Sequence, residues 1–315
     1  MDYEGQICRA PMERSSFMLP VMVGCSYNQC KFCNLFRHLK YRELPMEQIE
    51  AELKRVRELH GKPKKIFLGD GNAFGLKTEK LYEILDLIAY YFPECEGINM
   101  DATVTSILHK SQEELEMLAR KKVKHLYLGI ESGLDDVLKF MKKDDLAQAY
   151  QAIDRLHEAG LIYDAHIMTG VAGKGRGMEN AEALAQFLNR TNPAHVVNFS
   201  MFLHKEVPLY QDIRQGTFVP ADELETIREE YHLIERIAPE KAGANILYDG
   251  FHDFIHVRVR GHLPSDKEKM LAKLNGIIQE YEGKEPVYSF VQGECPDLEY
   301  CDDGKAVWDM DRKTS

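Results

Sequence analysis

Cys25, Cys30 and Cys33 stand together in the run Gly-Cys-Ser-Tyr-Asn-Gln-Cys-Lys-Phe-Cys at residues 24–33. Three clustered thiolates leave an iron–sulfur cluster one iron short of protein ligands. The remaining iron is then open to a substrate or cofactor, whereas a fourth cysteine close by would favour a closed electron-transfer or structural centre. The next cysteine is Cys95, far along the chain. A second reading of the same thiols is half of a zinc site, completed by His38 or a distant cysteine.

Such a loop needs a scaffold to hold it. The apolar run Phe17-Met-Leu-Pro-Val-Met-Val23 directly precedes the cysteines and reads as a strand. Behind it, short β-type runs alternate with longer helical patterns, the sign of parallel β/α units. Helix one is expected over 45–59, with Ile49, Leu53 and Val56 on one face, and strand two over 65–70. A second helix carries the stripe Leu81, Ile84, Leu85 and Ile88, and strand three is expected over 97–101. Ser111 with Glu114 has the form of a helix cap. Strand four is expected over 124–130, helices over 133–141 and 146–159, strand five over 161–168, a helix packed by Ala181, Leu184, Phe187 and Leu188, and strand six over 195–201.

These six units predict an α/β fold, a partial (β/α)6 TIM-type barrel over 16–205 after a short extension at 1–15. A C-terminal helical extension over 206–283, with helices near 222–237 and 265–281, and a peripheral tail at 284–315 complete the domain organisation. In parallel β/α barrels, functional groups sit on the loops after the strands. The cysteines follow strand one, Asp70-Gly71-Asn72 strand two, Glu131-Ser132 strand four and Gly170-Val-Ala-Gly173 strand five.

Composition narrows the class. The chain has 315 residues, 44% of them hydrophobic, which supports a sizeable core. Its net charge of −11 opposes steering toward phosphate backbones, so nucleic acid is disfavoured as a partner. No apolar run reaches the roughly 18–20 residues that span a bilayer, so no membrane association is expected. An acidic N-terminus without signal-peptide character and an odd set of seven cysteines point to a reducing, cytoplasmic setting.

Taken together, the chain resembles the radical S-adenosylmethionine (radical SAM) superfamily over about residues 16–205. The family spacing is C-x3-C-x2-C, and this chain has C-x4-C-x2-C. Gly24 and Asn28, which tolerate unusual dihedrals, can absorb the extra residue. The segments 24–33, 66–72 and 263–267 are similar to an uncharacterised subgroup with this spacing. The resemblance implies that Cys25, Cys30 and Cys33 bind a [4Fe–4S] cluster whose open iron is chelated by S-adenosylmethionine. Reductive cleavage then gives a 5′-deoxyadenosyl radical that abstracts hydrogen from a small or medium-sized organic substrate, with a reductant such as flavodoxin or ferredoxin as electron donor. It assigns Phe32 to adenine, and Asp70, Gly71 and Asn72 to the methionine amino group in place of the family's Gly-Gly-Glu. Glu131 falls to the ribose hydroxyls or methionine moiety, Lys143 to the carboxylate, and Ile167 and Gly170 to the adenine-binding segment, with Gly173 beside them.

Competing readings stay open. The enzyme alternative is a tRNA-modifying radical SAM enzyme, and the non-enzyme alternative is a zinc- or iron–sulfur-binding interaction protein. Cys295 and Cys301, with Cys8 or Cys95, are either free thiols or an auxiliary cluster. His252 and His256, four apart, are expected either as packing residues or as ligands sharing a helical face. His166 and His204 are candidates to touch substrate or to pack. Residues 173–177 lack the full phosphate-loop pattern and are not read as one.

Overall fold

The computed structural model describes residues 8–291 together with Glu4. Its strands are β1 (Phe17–Pro20), β2 (Lys65–Gly69), β3 (Gly97–Ala102), β4 (Val123–Glu131), β5 (Ile162–Thr169), β6 (His195–Ser200), β7 (Ile246–His252) and β8 (Val257–Leu263). They form one eight-stranded sheet in chain order. The first six, each followed by helix, are the strands of a partial (β/α)6 TIM-type arrangement. Parallel pairing holds from β1 through β4, with Phe17 opposite Ile66, Ile66 opposite Ile98, and Met100 opposite Leu126.

The helices are α1 (Met46–Glu58), α2 (Thr78–Tyr91), α3 (Val104–Leu108), α4 (Gln112–Arg120), α5 (Asp135–Phe140), α6 (Leu146–Glu158), α7 (Gly177–Thr191), α8 (Pro208–Arg214), α9 (Glu223–Arg236) and α10 (Lys267–Tyr281). Strand β2 is covered on both faces, with Ile66, Phe67 and Leu68 fully buried, which is why it reads as a continuous apolar run rather than an alternation. The expected cap at Ser111 is present: its side chain accepts from the Glu114 backbone, and the Glu114 carboxylate accepts from the Ser111 backbone. Such a box satisfies two of the donors a helix start leaves unpaired.

By contact density the chain divides into two compact units. The first holds the described residues through Ile130, Lys142–His166 and Pro193–His195, and the second holds Glu131–Met141, Ile167–Asn192 and the described residues from Val196 onward. The first unit contains a core of Ala10, Met18, Phe67 and Tyr127. In the second, α7 lies on α9, and Gly133 lets the turn after β4 approach α7 closely, since a Cβ there would stand 2.3 Å from the Leu184 nitrogen.

The region beyond β6 corrects one expectation. It is mixed α/β rather than helical, because β7 and β8 pair antiparallel from Val257–His252 to Leu263–Ile246. The alternation Val257-Arg-Val-Arg, with Val259 buried between exposed arginines, is the mark of a half-buried strand. His252 and His256 therefore do not share a helical face. His252 ends β7, and His256 adopts a left-handed conformation with φ 54° between the strands.

Candidate functional site

In the first unit, a two-residue antiparallel ribbon pairs Met22 with Glu43 and Val23 with Arg42. It closes the base of the loop spanning residues 24–41, which carries the three cysteines. Gly24 (φ 79°) and Asn28 (φ 42°) both sit in left-handed conformations, so the residues expected to absorb the longer C-x4-C spacing do adopt unusual dihedrals. Arg37 crosses the loop, donating through Nε to the Cys33 carbonyl at 2.8 Å and through Nη2 to the Cys30 carbonyl. Cys25, Cys30 and Cys33 are each half-buried. His38, the alternative zinc ligand, is exposed.

The turn after β2 lies directly on this loop. A Cβ on Gly71 would stand 2.7 Å from both the Cys25 Cβ and the Gly24 carbonyl oxygen. Only glycine lets the two segments meet this closely. Beside it, Asp70 is 4% exposed and its Oδ1 has no hydrogen-bond partner. Burial pushes its carboxyl up to about 6, opposed by a hydrogen bond from the Gly24 backbone. Asn72 serves differently: its Nδ2 donates to Ser26 Oγ at 3.1 Å and its Oδ1 accepts from the Thr103 backbone at 3.1 Å. The amide is thereby committed to bracing the cysteine loop against the start of α3. A cavity of about 390 Å³ opens here, with Ser26, Tyr27, Asn72, Thr103 and Lys110 in its wall.

Lys143 belongs to the same unit. Tyr27 donates its hydroxyl to the Lys142 carbonyl, bringing the residues after Met141 to the cysteine loop. The Lys143 charge acts on both Tyr27 and His166. Phe32, next to Cys33, is half-buried.

Two neighbours of this centre escape sequence reasoning, which offers Cys8 only as a free thiol or auxiliary ligand and Asp101 only as part of a strand. Cys8 feels the charges of Asp101, Cys33 and Asp70, and burial pushes its thiol up to about 12. Asp101 is pushed up to about 8 by burial, with further contributions from Glu13 and Asp70. His166 is held down to about 4 by burial, and its Nε2 has no partner. It is therefore neutral near pH 7. Cys8, Asp101 and His166 are each half-buried. The only signal in the sequence is a polar residue near each strand's end. Cys8 comes from a segment without any strand pattern.

In the second unit, one carboxylate fixes the turns after β4 and β5. Ser132 Oγ and the Gly133 backbone donate to Asn180 Oδ1 at 2.6 and 3.1 Å. Asn180 Nδ2 donates to Glu229 Oε1 at 2.7 Å, and the Gly170 backbone donates to Glu229 Oε2 at 2.8 Å. Glu131 is buried and left-handed, with φ 63°. That state is uncommon for a non-glycine residue and concentrates at functional positions. Ile167 is 1% exposed. Gly170 (φ 84°) admits α9, since a Cβ there would stand 2.9 Å from Thr226 Cγ2, and Gly173 likewise admits the Val219 carbonyl at 3.0 Å. Their conformational freedom thus serves the packing of the protein itself. Nearby, His252 is held between Glu223 Oε2 (2.9 Å) and Glu230 Oε2 (3.1 Å). Burial lowers its basicity, but the two carboxylates outweigh that and push it up to about 10. This histidine is a structural ion-pair partner. Cys295 and Cys301 lie outside the described residues.

No helix among the described residues is long and apolar enough to cross a membrane. No curated protein matches the sequence. Among solved structures, the chain is similar to archaeal Elp3 of Methanocaldococcus infernus (15% identity, TM-score 0.53, covering 84% of this chain and 63% of that one). It is also similar to methylornithine synthase, PylB (17%, TM-score 0.50, 74% and 70%), and to the FeFe-hydrogenase maturase HydG from Carboxydothermus hydrogenoformans (17%, TM-score 0.52, 82% and 57%). The chain thus spans less than two thirds of Elp3 and of HydG, and at these identities the likeness is one of fold. The sequence itself goes further: the model of the Radical SAM superfamily matches residues 19–188, more than half of the chain, running from β1 through the cysteine loop to α7, and the protein belongs to that superfamily.

Proposed function

We propose that this protein is an enzyme that cleaves S-adenosylmethionine reductively at a [4Fe–4S] cluster and uses the resulting 5′-deoxyadenosyl radical to take hydrogen from an organic substrate. The cluster and S-adenosylmethionine are the cofactors of the superfamily, and the residues of the first unit fit them. Three partly accessible thiols meet the donor demand of a cluster with one open iron.

The observation that carries the reading is Asp70. Its buried Oδ1 has no partner. Such an oxygen is costly, and an ammonium group is the donor that satisfies it best. The Gly71 contact with Cys25 and the Gly24 backbone hydrogen bond to the Asp70 carboxyl keep this residue beside the cysteine loop, where the amino group of a methionine moiety on the open iron would need it. Lys143 is the cation for the methionine carboxylate, and Phe32 offers an apolar face to adenine. The assignment of Glu131 to ribose or methionine and of Ile167 and Gly170 to adenine rests on the family resemblance.

Other residues of this chain hold protons. Asp101, with its carboxyl pushed up to about 8, carries a proton near pH 7, while His166 does not. Asp101 is therefore a neutral donor and His166 a neutral acceptor. A small organic molecule is the favoured substrate class, and the net charge of −11 disfavours a nucleic acid. The test is anaerobic reconstitution with iron and sulfide. The native chain should take up a brown four-iron cluster whose spectrum changes on adding S-adenosylmethionine, and Asp70→Ala should keep the cluster but lose that change. A native chain that stays colourless with its thiols intact overturns the reading.

A further inference from the structure

His125, Asp164 and His195 converge at the other ends of the strands from the Asp70 turn. His125 is the third residue of β4, Asp164 the third of β5 and His195 the first of β6, and all three belong to the first unit. Asp164 is fully buried, while each histidine keeps 22% of its side chain accessible. The His125 Nδ1 lies 2.6 Å from Asp164 Oδ2, and the His195 backbone donates to Asp164 Oδ1 at 2.9 Å. His195 Nδ1 points to the same oxygen from 3.4 Å, is itself buried, and has no hydrogen-bond partner.

Two features mark this cluster as incomplete. A buried ring nitrogen left without a hydrogen-bond partner is costly, and a buried carboxylate needs a compensating charge. The two rings are also near-parallel, with centroids 5.3 Å apart and an interplanar angle of 11°, so charging both by protonation would set like charges close together. A metal ion meets each requirement while leaving both imidazoles neutral, the form in which histidine ligates.

We propose that His125, Asp164 and His195 form a binding site for a divalent transition ion of the zinc class, separate from the cysteine loop. One ligand atom from each residue already lies within 4.8 Å of the others. Bonds of about 2.0–2.2 Å place tetrahedral ligands roughly 3.3 Å apart, so the histidine–carboxylate pair opens slightly and the widest separation closes. Three protein ligands leave a fourth position, and the accessible edges of the histidines let water reach it. The ion would cross-link β4, β5 and β6 where their chains enter the sheet. This site is independent of the cluster chemistry.

The experiment uses the full chain with Cys25, Cys30 and Cys33 all changed to Ala, so that the loop thiols cannot take the metal, and titrates it with Zn2+ against a chromophoric chelator. One equivalent should bind and raise the melting temperature. Co2+ in its place should give visible ligand-field bands without a thiolate charge-transfer band. Removing a second-sphere partner of a metal commonly costs about 10–100-fold in affinity, so His195→Ala, which removes a ligand, should weaken binding by about 100-fold or more. Asp164→Asn should weaken it while keeping a hydrogen-bonding side chain in the barrel. If the triple variant is unfolded by circular dichroism, the same titration on native protein with its cluster assembled must show one additional equivalent. Failure to bind Zn2+, or equal affinity in a folded His195→Ala variant, overturns the proposal and leaves a plain hydrogen-bonded His–Asp pair.

Discussion

Replacing Asp70 with Asn should make the protein without cofactors more stable and the protein with cofactors less competent. The carboxyl is raised from 3.8 to about 6 by burial. The folded state therefore holds this proton more tightly than the unfolded chain. Stability falls as pH rises from about 4 through about 6, and above that the whole cost is present. At ~1.36 kcal/mol per pH unit, the cost at pH 8 is about 3 kcal/mol, and at pH 4.5 about 1 kcal/mol. Asn keeps an acceptor for the Gly24 backbone and leaves its other atom as unpaired as the Oδ1 it replaces. The ionisation cost is thus the main change, and the advantage of Asp70→Asn should grow by about 2 kcal/mol between those two pH values. Urea unfolding followed by circular dichroism, under reducing anaerobic conditions without iron, measures this. A difference that does not depend on pH, or a variant less stable than the native chain at pH 8, would refute the reasoning. In the reconstituted protein the same variant should bind S-adenosylmethionine more weakly.

Cys30→Ala should abolish cluster assembly, read by iron content, while the far-ultraviolet circular dichroism stays native. Gly71→Ala places a Cβ 2.7 Å from the Cys25 Cβ and the Gly24 carbonyl oxygen, at a φ of 32°. Displacing the cysteine loop should cost about 1–3 kcal/mol in urea unfolding and reduce the iron taken up. Glu229→Gln leaves one acceptor for two donors, Asn180 Nδ2 and the Gly170 backbone. Because burial raises the Glu229 carboxyl from 4.5 to about 7, the variant should cost about 1–3 kcal/mol at pH 4.5 and below and progressively less as pH rises through about 7, again by urea unfolding. His252, raised from 6.5 to about 10, contributes stability that is complete below about pH 6.5 and lost as pH rises through about 10. His252→Gln should therefore flatten the alkaline limb of the stability profile.

Much of the fold was legible because local pattern and tertiary role coincide. The buried run Ile66-Phe67-Leu68, the stripe Leu81, Ile84, Leu85 and Ile88, and the Ser111–Glu114 cap all occupy the elements their sequence implies. The hairpin at 246–263 was hidden by Gly250 and Gly261, which weaken a strand pattern but here make room for Glu230 and Met270. The positions of the cysteines and of Asp70-Gly71, on the loops after the first two strands of the sheet, were legible because they follow strands in a recognisable order. The hydrogen bonds of Asn72 were not legible, since its partners Ser26 and Thr103 lie on other segments. The surroundings of Cys8 and Asp101, and the His125–Asp164–His195 group, were not legible for a simpler reason. Their partners lie on other strands or in distant segments, and only register brings them together.

Whether the cysteine loop and the Asp70 turn together carry out reductive cleavage of S-adenosylmethionine is decided by the products. Reconstituted protein, given dithionite and S-adenosylmethionine under anaerobic conditions, should release 5′-deoxyadenosine and methionine in equal amounts, and Cys30→Ala should release neither. A native chain carrying a full four-iron cluster and reduced by dithionite, yet yielding no 5′-deoxyadenosine, would contradict this mechanism.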